Sequence, residues 1–68
     1  MKWDNPDGFV FRDNKHYLLW HEDKDNVTMW LYQKGSLYAF GIRIEPQSLQ
    51  FLGYSSVCEI TNPFGGRV

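Results

Sequence analysis

A chain of 68 residues with net charge −1, seven Lys plus Arg against eight Asp plus Glu, has room for one domain and no general attraction to phosphate backbones or anionic membranes. Its single cysteine, Cys58, excludes an intrachain disulfide and predicts a reducing, cytoplasmic setting. Three Trp, four Tyr and five Phe are an efficient way for so small a chain to offset conformational entropy, since each ring buries about 150 to 250 Å².

Turn signals recur every six to ten residues, the cadence of an all-β protein. The expected fold is a small single-domain antiparallel meander of five or six strands spanning residues 1–68, with residues 1–7 and 62–68 as loose termini. Met1-Lys2-Trp3-Asp4-Asn5-Pro6-Asp7 contains no apolar run of the kind that forms a signal peptide's core, and nowhere do 18 apolar residues follow one another, so export and membrane insertion are not expected.

Asn5-Pro6-Asp7-Gly8 is a turn by composition, and Phe9-Val10-Phe11-Arg12 reads as a first strand returning through Asp13-Asn14-Lys15 to a second at residues 16–21. The polar loop Glu22-Asp23-Lys24-Asp25-Asn26, with Asn26 suited to a positive φ, leads to a third strand at 27–33. Gln33-Lys34-Gly35-Ser36 is the sharpest hairpin signal, Gly35 supplying the left-handed position. A fourth strand over 37–44 ends before Glu45-Pro46. Residues 48–54 read as a fifth strand, or residues 46–52 as a short helical turn with Leu49 and Leu52 three apart; a sixth strand follows at 57–61.

The register of the central hairpin decides which side chains are core. With Lys34-Gly35 as a two-residue loop, Leu31 faces Tyr38, Met29 faces Phe40 and Val27 faces Ile42, while Trp30, Tyr32, Leu37 and Ala39 share the reverse face. With Gly35 as a bulge in a three-residue loop, Leu31 joins Leu37, and Trp30, Tyr38 and Phe40 fall together. Both registers put large apolar groups on both faces. That arrangement suits an SH3-like barrel, a sheet folded on itself, or a sheet with one side covered by a partner.

No constellation names a reaction. His16 and His21 are five apart, which points them to opposite faces of a strand and away from a shared metal. The acidic loop lacks the glycine and terminal glutamate of a calcium site, and Lys24 interrupts it. Cys58 lies between Val57 and Ile60 with no neighbouring base to activate it, Ser55-Ser56 lacks a nucleophile elbow, and Gly65-Gly66 precedes no helix. No enzyme, cofactor or metal is expected.

By exclusion, the expected activity is that of a small cytosolic protein-binding module, an inhibitor, adaptor or modulator of a larger protein, of the size that phages and mobile elements use against host enzymes. Its partner-binding residues are predicted as Trp20, Trp30, Tyr32 and Tyr38, with Arg43 at the rim, because Trp and Tyr dominate interface energies. An aromatic cage built from Trp30, Tyr32 and Tyr38 would be a variant of that surface, and self-association into a homodimer is another. The alternative from a different class is a single-stranded nucleic-acid-binding barrel with stacking aromatics. Arg12, Lys15, Lys34 and Arg43 are few bases for such a groove.

Overall fold

Period-two alternation of apolar side chains sets the strands of the computed structural model, which describes residues 2–60. Five strands, β1 (Lys15–His21), β2 (Asn26–Gln33), β3 (Ser36–Ala39), β4 (Ile42–Ile44) and β5 (Tyr54–Ile60), form one antiparallel sheet in the order β4-β3-β2-β1-β5. β1 to β4 make the expected meander. β5 departs from it and lies beside β1, leaving β4 and β5 as the two edges of an open sheet. β1 and β3 run toward the end that carries the loop at 22–25; β2, β4 and β5 run away from it.

The Lys34-Gly35 loop has two residues. Leu31 lies opposite Tyr38 and Tyr32 opposite Leu37, as the first of the two registers requires, and φ is positive at both Lys34 (52°) and Gly35 (85°). Such turns match the twist of the flanking strands and need a residue without Cβ strain at one position. The pairing does not continue to Met29 with Phe40 or Val27 with Ile42. The chain turns again at Phe40-Gly41, so the single fourth strand expected over 37–44 is two short ones, and Ile42 pairs with Ala39.

Residues 9–12 are not a strand. Each strand has two edges, and those of β1 are taken by β2 and β5. The Arg12 amide donates instead to the Tyr17 hydroxyl at 2.7 Å. Phe9 and Phe11 then serve as a lid, edge-on to the Tyr17 ring at 5.8 and 4.8 Å between centroids. In the acidic loop the positive φ falls on Asp25 (48°) rather than on Asn26, which already belongs to β2. Of the two readings for 46–54, the helical one holds: a 3-10 turn at Pro46–Ser48 is followed by the buried Leu49.

The crossing from β4 to β5 is what closes the core. Four strand spacings of about 4.8 Å separate those edges, roughly 19 Å, and residues 45–53 can reach about 30 Å when extended. The slack is taken up by the 3-10 turn, which sets Leu49 on the sheet. Tyr17, Leu19, Trp30, Leu37, Leu49 and Val57 make the buried cluster, with Phe9, Phe11, Tyr32, Ala39, Ile44 and Tyr54 packed around it. Their strand positions alternate onto one face, called here the core face.

The N-terminal segment expected to be loose is tied down. Asp4 and Val57 exchange two backbone hydrogen bonds of 2.8 Å along the outer edge of β5, and Pro6 is buried. The expectations for Thr61 as the end of the last strand and for a loose tail at 62–68 lie outside the described residues. No helix among the described residues is long and apolar enough to cross a membrane.

Candidate functional site

With the core face filled, the other side of each strand forms a reverse face whose rows follow from the registers. Arg43, Tyr38, Leu31, His16 and Ile60 lie opposite one another across the sheet. Met29, Leu18 and Cys58 make the next row, and Val27, Trp20 and Ser56 the third. Val27, Met29 and Tyr38 are exposed, Tyr38 by 38%. Trp3 is carried onto this side by the bridge of its neighbour Asp4 to Val57. With Trp20, Val27 and Ser56 it lines a shallow groove of about 420 Å³.

The five predicted site residues are therefore divided between two faces. Trp20, Tyr38 and Arg43 share the reverse face. Trp20 is half-buried, its indole N–H donating to Asp25 Oδ1 at 3.3 Å, and Arg43 is exposed with its guanidinium 3.5 Å from Glu45. Trp30 and Tyr32 are on the core face and do not belong to the patch they were expected to centre. Trp30 is 4% exposed, donates to Thr28 Oγ1 at 2.7 Å, and stands edge-on between Phe40 and Tyr54. Tyr32 stacks on Phe11 with centroids 5.2 Å apart. The reason is parity: in a strand, neighbours point to opposite sides, so Trp30 in the core forces Met29 outward. The same separation defeats the proposed cage, because Tyr38 and Trp30 lie on opposite faces.

Val27 and Met29 are surface residues that the reading of aromatics alone passed over. Alternation with a core Trp30 is the signal that would have found them. Trp3 had no local signal, since its position depends on a pairing 53 residues away in sequence.

The histidines lie on opposite sides of β1, as their spacing predicts. His21 Nδ1 accepts from the Lys24 amide at 3.3 Å, so its Nε2–H donates to the Leu52 carbonyl at 3.0 Å. The ring thus fastens the 22–25 loop to the turn before β5. No group of three or more His, Cys, Asp or Glu side chains suited to a metal occurs among the described residues. Cys58 is buried, its Sγ 3.7 Å from the Glu59 carbonyl.

One polar cluster penetrates the core face. The Tyr17 hydroxyl donates to Glu59 Oε1 at 3.2 Å, and Arg12 ion-pairs with the same carboxylate. The hydrogen bond from Arg12 holds the Glu59 carboxyl below its ordinary range, and the carboxylate in turn raises the Arg12 guanidinium. Burial pushes the Tyr17 phenol up. Every group in the cluster is satisfied by another, and all the shifts favour the state already present at neutral pH. This cluster is an anchor, holding the Phe9 and Phe11 lid to β1 and β5.

Fold and surface together define a class: among the described residues, an open five-stranded antiparallel sheet cored on one side by its own loops and exposing Val27, Met29 and Tyr38 on the other. Comparison of the chain with protein-family models, with curated proteins and with solved structures gives no match in any of the three.

Proposed function

We propose that the chain is a non-enzymatic protein-binding module that docks its reverse face against a larger protein and acts as an inhibitor, adaptor or modulator of it. The observation that carries this reading is the placement of Tyr38, Met29 and Val27 in three successive rows of the reverse face, exposed and outside the buried cluster of the core. Apolar and aromatic groups gathered in this way gain most from being covered by a partner, and Trp3 and Trp20 beside them supply a groove for an anchoring side chain. Arg43 at the end of the Tyr38 row gives orientation at the rim.

The distribution of bases supports a protein over a nucleic-acid single strand. Arg12 is engaged by Glu59, Lys34 lies at the hairpin end, and Arg43 is the one arginine of the reverse face among the described residues. A salt titration with short single strands is expected to show no affinity even at low ionic strength.

The decisive comparison is between the wild-type chain and a Val27→Ser, Met29→Ser, Tyr38→Ser variant, each immobilised and exposed to host lysate, with captured proteins identified by mass spectrometry. A partner held by the wild type, lost by the triple variant and retained by Lys34→Ala supports the reading, provided the triple variant melts within a few degrees of the wild type. Equal capture by wild type and triple variant would refute it. Light scattering on the free chain separates a second copy as the occupant from a different protein.

A further inference from the structure

The third row of the reverse face has a gap in it. Across the sheet the row runs from Val27 on β2 to Trp20 on β1 and Ser56 on β5. The segment paired to the outer edge of β5 through Asp4 and Val57 adds Trp3 beyond it. Ser56, the smallest side chain of the row, therefore has an indole-bearing segment on either side. Two strand spacings of about 4.8 Å separate the backbones that carry the indoles, about 10 Å in all, and a serine does not fill that width. The result is the groove of about 420 Å³ lined by Trp3, Trp20, Val27 and Ser56.

The charges beside this groove favour a cation. The Trp20 indole N–H donates to Asp25 Oδ1 at 3.3 Å, which sets a carboxylate at the edge of one wall and enriches the ring face that attracts cations. Oδ2 of the same carboxylate accepts nothing among the described residues. The row lies at the end of β1 that enters the 22–25 loop, where Glu22, Asp23 and Asp25 stand against Lys24. Neither Lys nor Arg is among the lining residues, so an anionic occupant would meet repulsion without a partner.

Among cations, a guanidinium meets the groove on three counts. It is planar and stacks on aromatic faces, it is more weakly hydrated than an ammonium, and its five N–H donors can serve both Asp25 Oδ2 and the Ser56 hydroxyl. A quaternary ammonium has no donor for either acceptor, and the lysine ammonium is compact and strongly hydrated. We infer that the groove between Trp3 and Trp20 receives an arginine side chain of the partner protein, its methylenes against Val27 and its guanidinium between the indoles. The inference rests on the docking reading given above and supplies the chemistry of the partner's anchoring residue.

The test uses the full chain and capped tripeptides with glycine at both ends and arginine, citrulline, lysine or norleucine in the middle, followed by NMR through the indole N–H signals of Trp3 and Trp20. Citrulline keeps the shape of arginine without its charge. The arginine peptide is expected to move both indole signals and to bind about fivefold or more tighter than citrulline or norleucine, and several-fold tighter than lysine. Asp25→Asn, tolerated at a positive φ of 48°, should weaken it several-fold, and Ser56→Leu, which fills the floor of the groove, should abolish it, both with melting temperatures within a few degrees of the wild type. Unmoved indole signals, equal affinity for citrulline, or tighter binding of lysine or of a short single-stranded oligonucleotide would each overturn the proposal. No partner protein is present in this assay, so its failure is distinguishable from that of the docking reading: a partner captured through Val27, Met29 and Tyr38 with no preference here for arginine removes the anchor alone.

Discussion

Gly53 shows how a single position can be fixed by a neighbour distant in sequence. Its φ is 101°, and a Cβ built there would stand 2.5 Å from His21 Nε2, the nitrogen that bonds the Leu52 carbonyl. Gly53→Ala is expected to cost about 1 to 3 kcal/mol in urea denaturation, from backbone strain together with displacement of the ring. In a His21→Ala background the steric part disappears, so the penalty should shrink without vanishing. An equal penalty in both backgrounds would show that the ring is not what the Cβ meets. Tyr17 is a second such position. Its ring is core, yet its hydroxyl accepts the Arg12 amide and donates to Glu59. Tyr17→Phe keeps the packing but leaves that amide without its partner, a loss of about 1 to 3 kcal/mol measured by the same denaturation. Nothing in the sequence distinguishes Tyr17 from the other tyrosines, because both of its partners come from other segments.

Among the elements, β2 divides the aromatic content between stability and surface. Trp30→Ala removes an indole from the core and should destabilise by about 3 to 5 kcal/mol, enough to unfold much of a small domain at room temperature. Tyr38→Ala, one strand over and on the other side, should leave the melting temperature nearly unchanged. If circular dichroism melts rank the two in the opposite order, the assignment of faces is wrong. The lid at residues 9–12 gives a pH dependence through its anchor. The Glu59 carboxyl is held below its ordinary value of 4.5 by the Arg12 hydrogen bond. Its ionised form is therefore favoured by folding, and the stability it contributes is complete above pH 4.5 and is lost as pH falls through the lower folded value. Glu59→Gln should thus be less stable than wild type at pH 7, with the gap narrowing as pH falls below 4.5. A gap that does not narrow as the carboxylate is protonated would remove it from the anchor's account. The lid itself was read as a strand because Phe9-Val10-Phe11 alternates as strands do; no local pattern reveals that both edges of β1 are already occupied.

At the scale of the whole molecule, stability should decrease from the middle of the sheet outward. β1 is paired along its length with both β2 and β5, whereas β4 has three residues and one neighbour. Amide exchange is expected to be slowest in β1 and the facing part of β2 and fastest in β4, since edge amides open without disturbing the core. Protection in β4 equal to that in β1 in the free chain would mean that its outer edge is paired with another copy. Among the described residues the layering is one-sided: loops 5–14 and 45–53 supply the second layer over the core face, and the apolar groups exposed on the reverse face are those for which a partner is proposed.

Local chemistry in the sequence determined the all-β class, the Lys34-Gly35 hairpin with its register as one of two, the helical turn after Pro46 as one of two readings, and the opposed histidines. Turn residues and period-two alternation act over a few residues and can be read there. Which face became the core was decided by tertiary structure alone. The crossing from β4 to β5 lays Leu49 on one side of the sheet, and strand parity then commits Trp30 and Tyr32 inward and Val27, Met29 and Tyr38 outward. Alternation defines two faces but is symmetric between them, so only the long-range segment that covers one of them can break the tie.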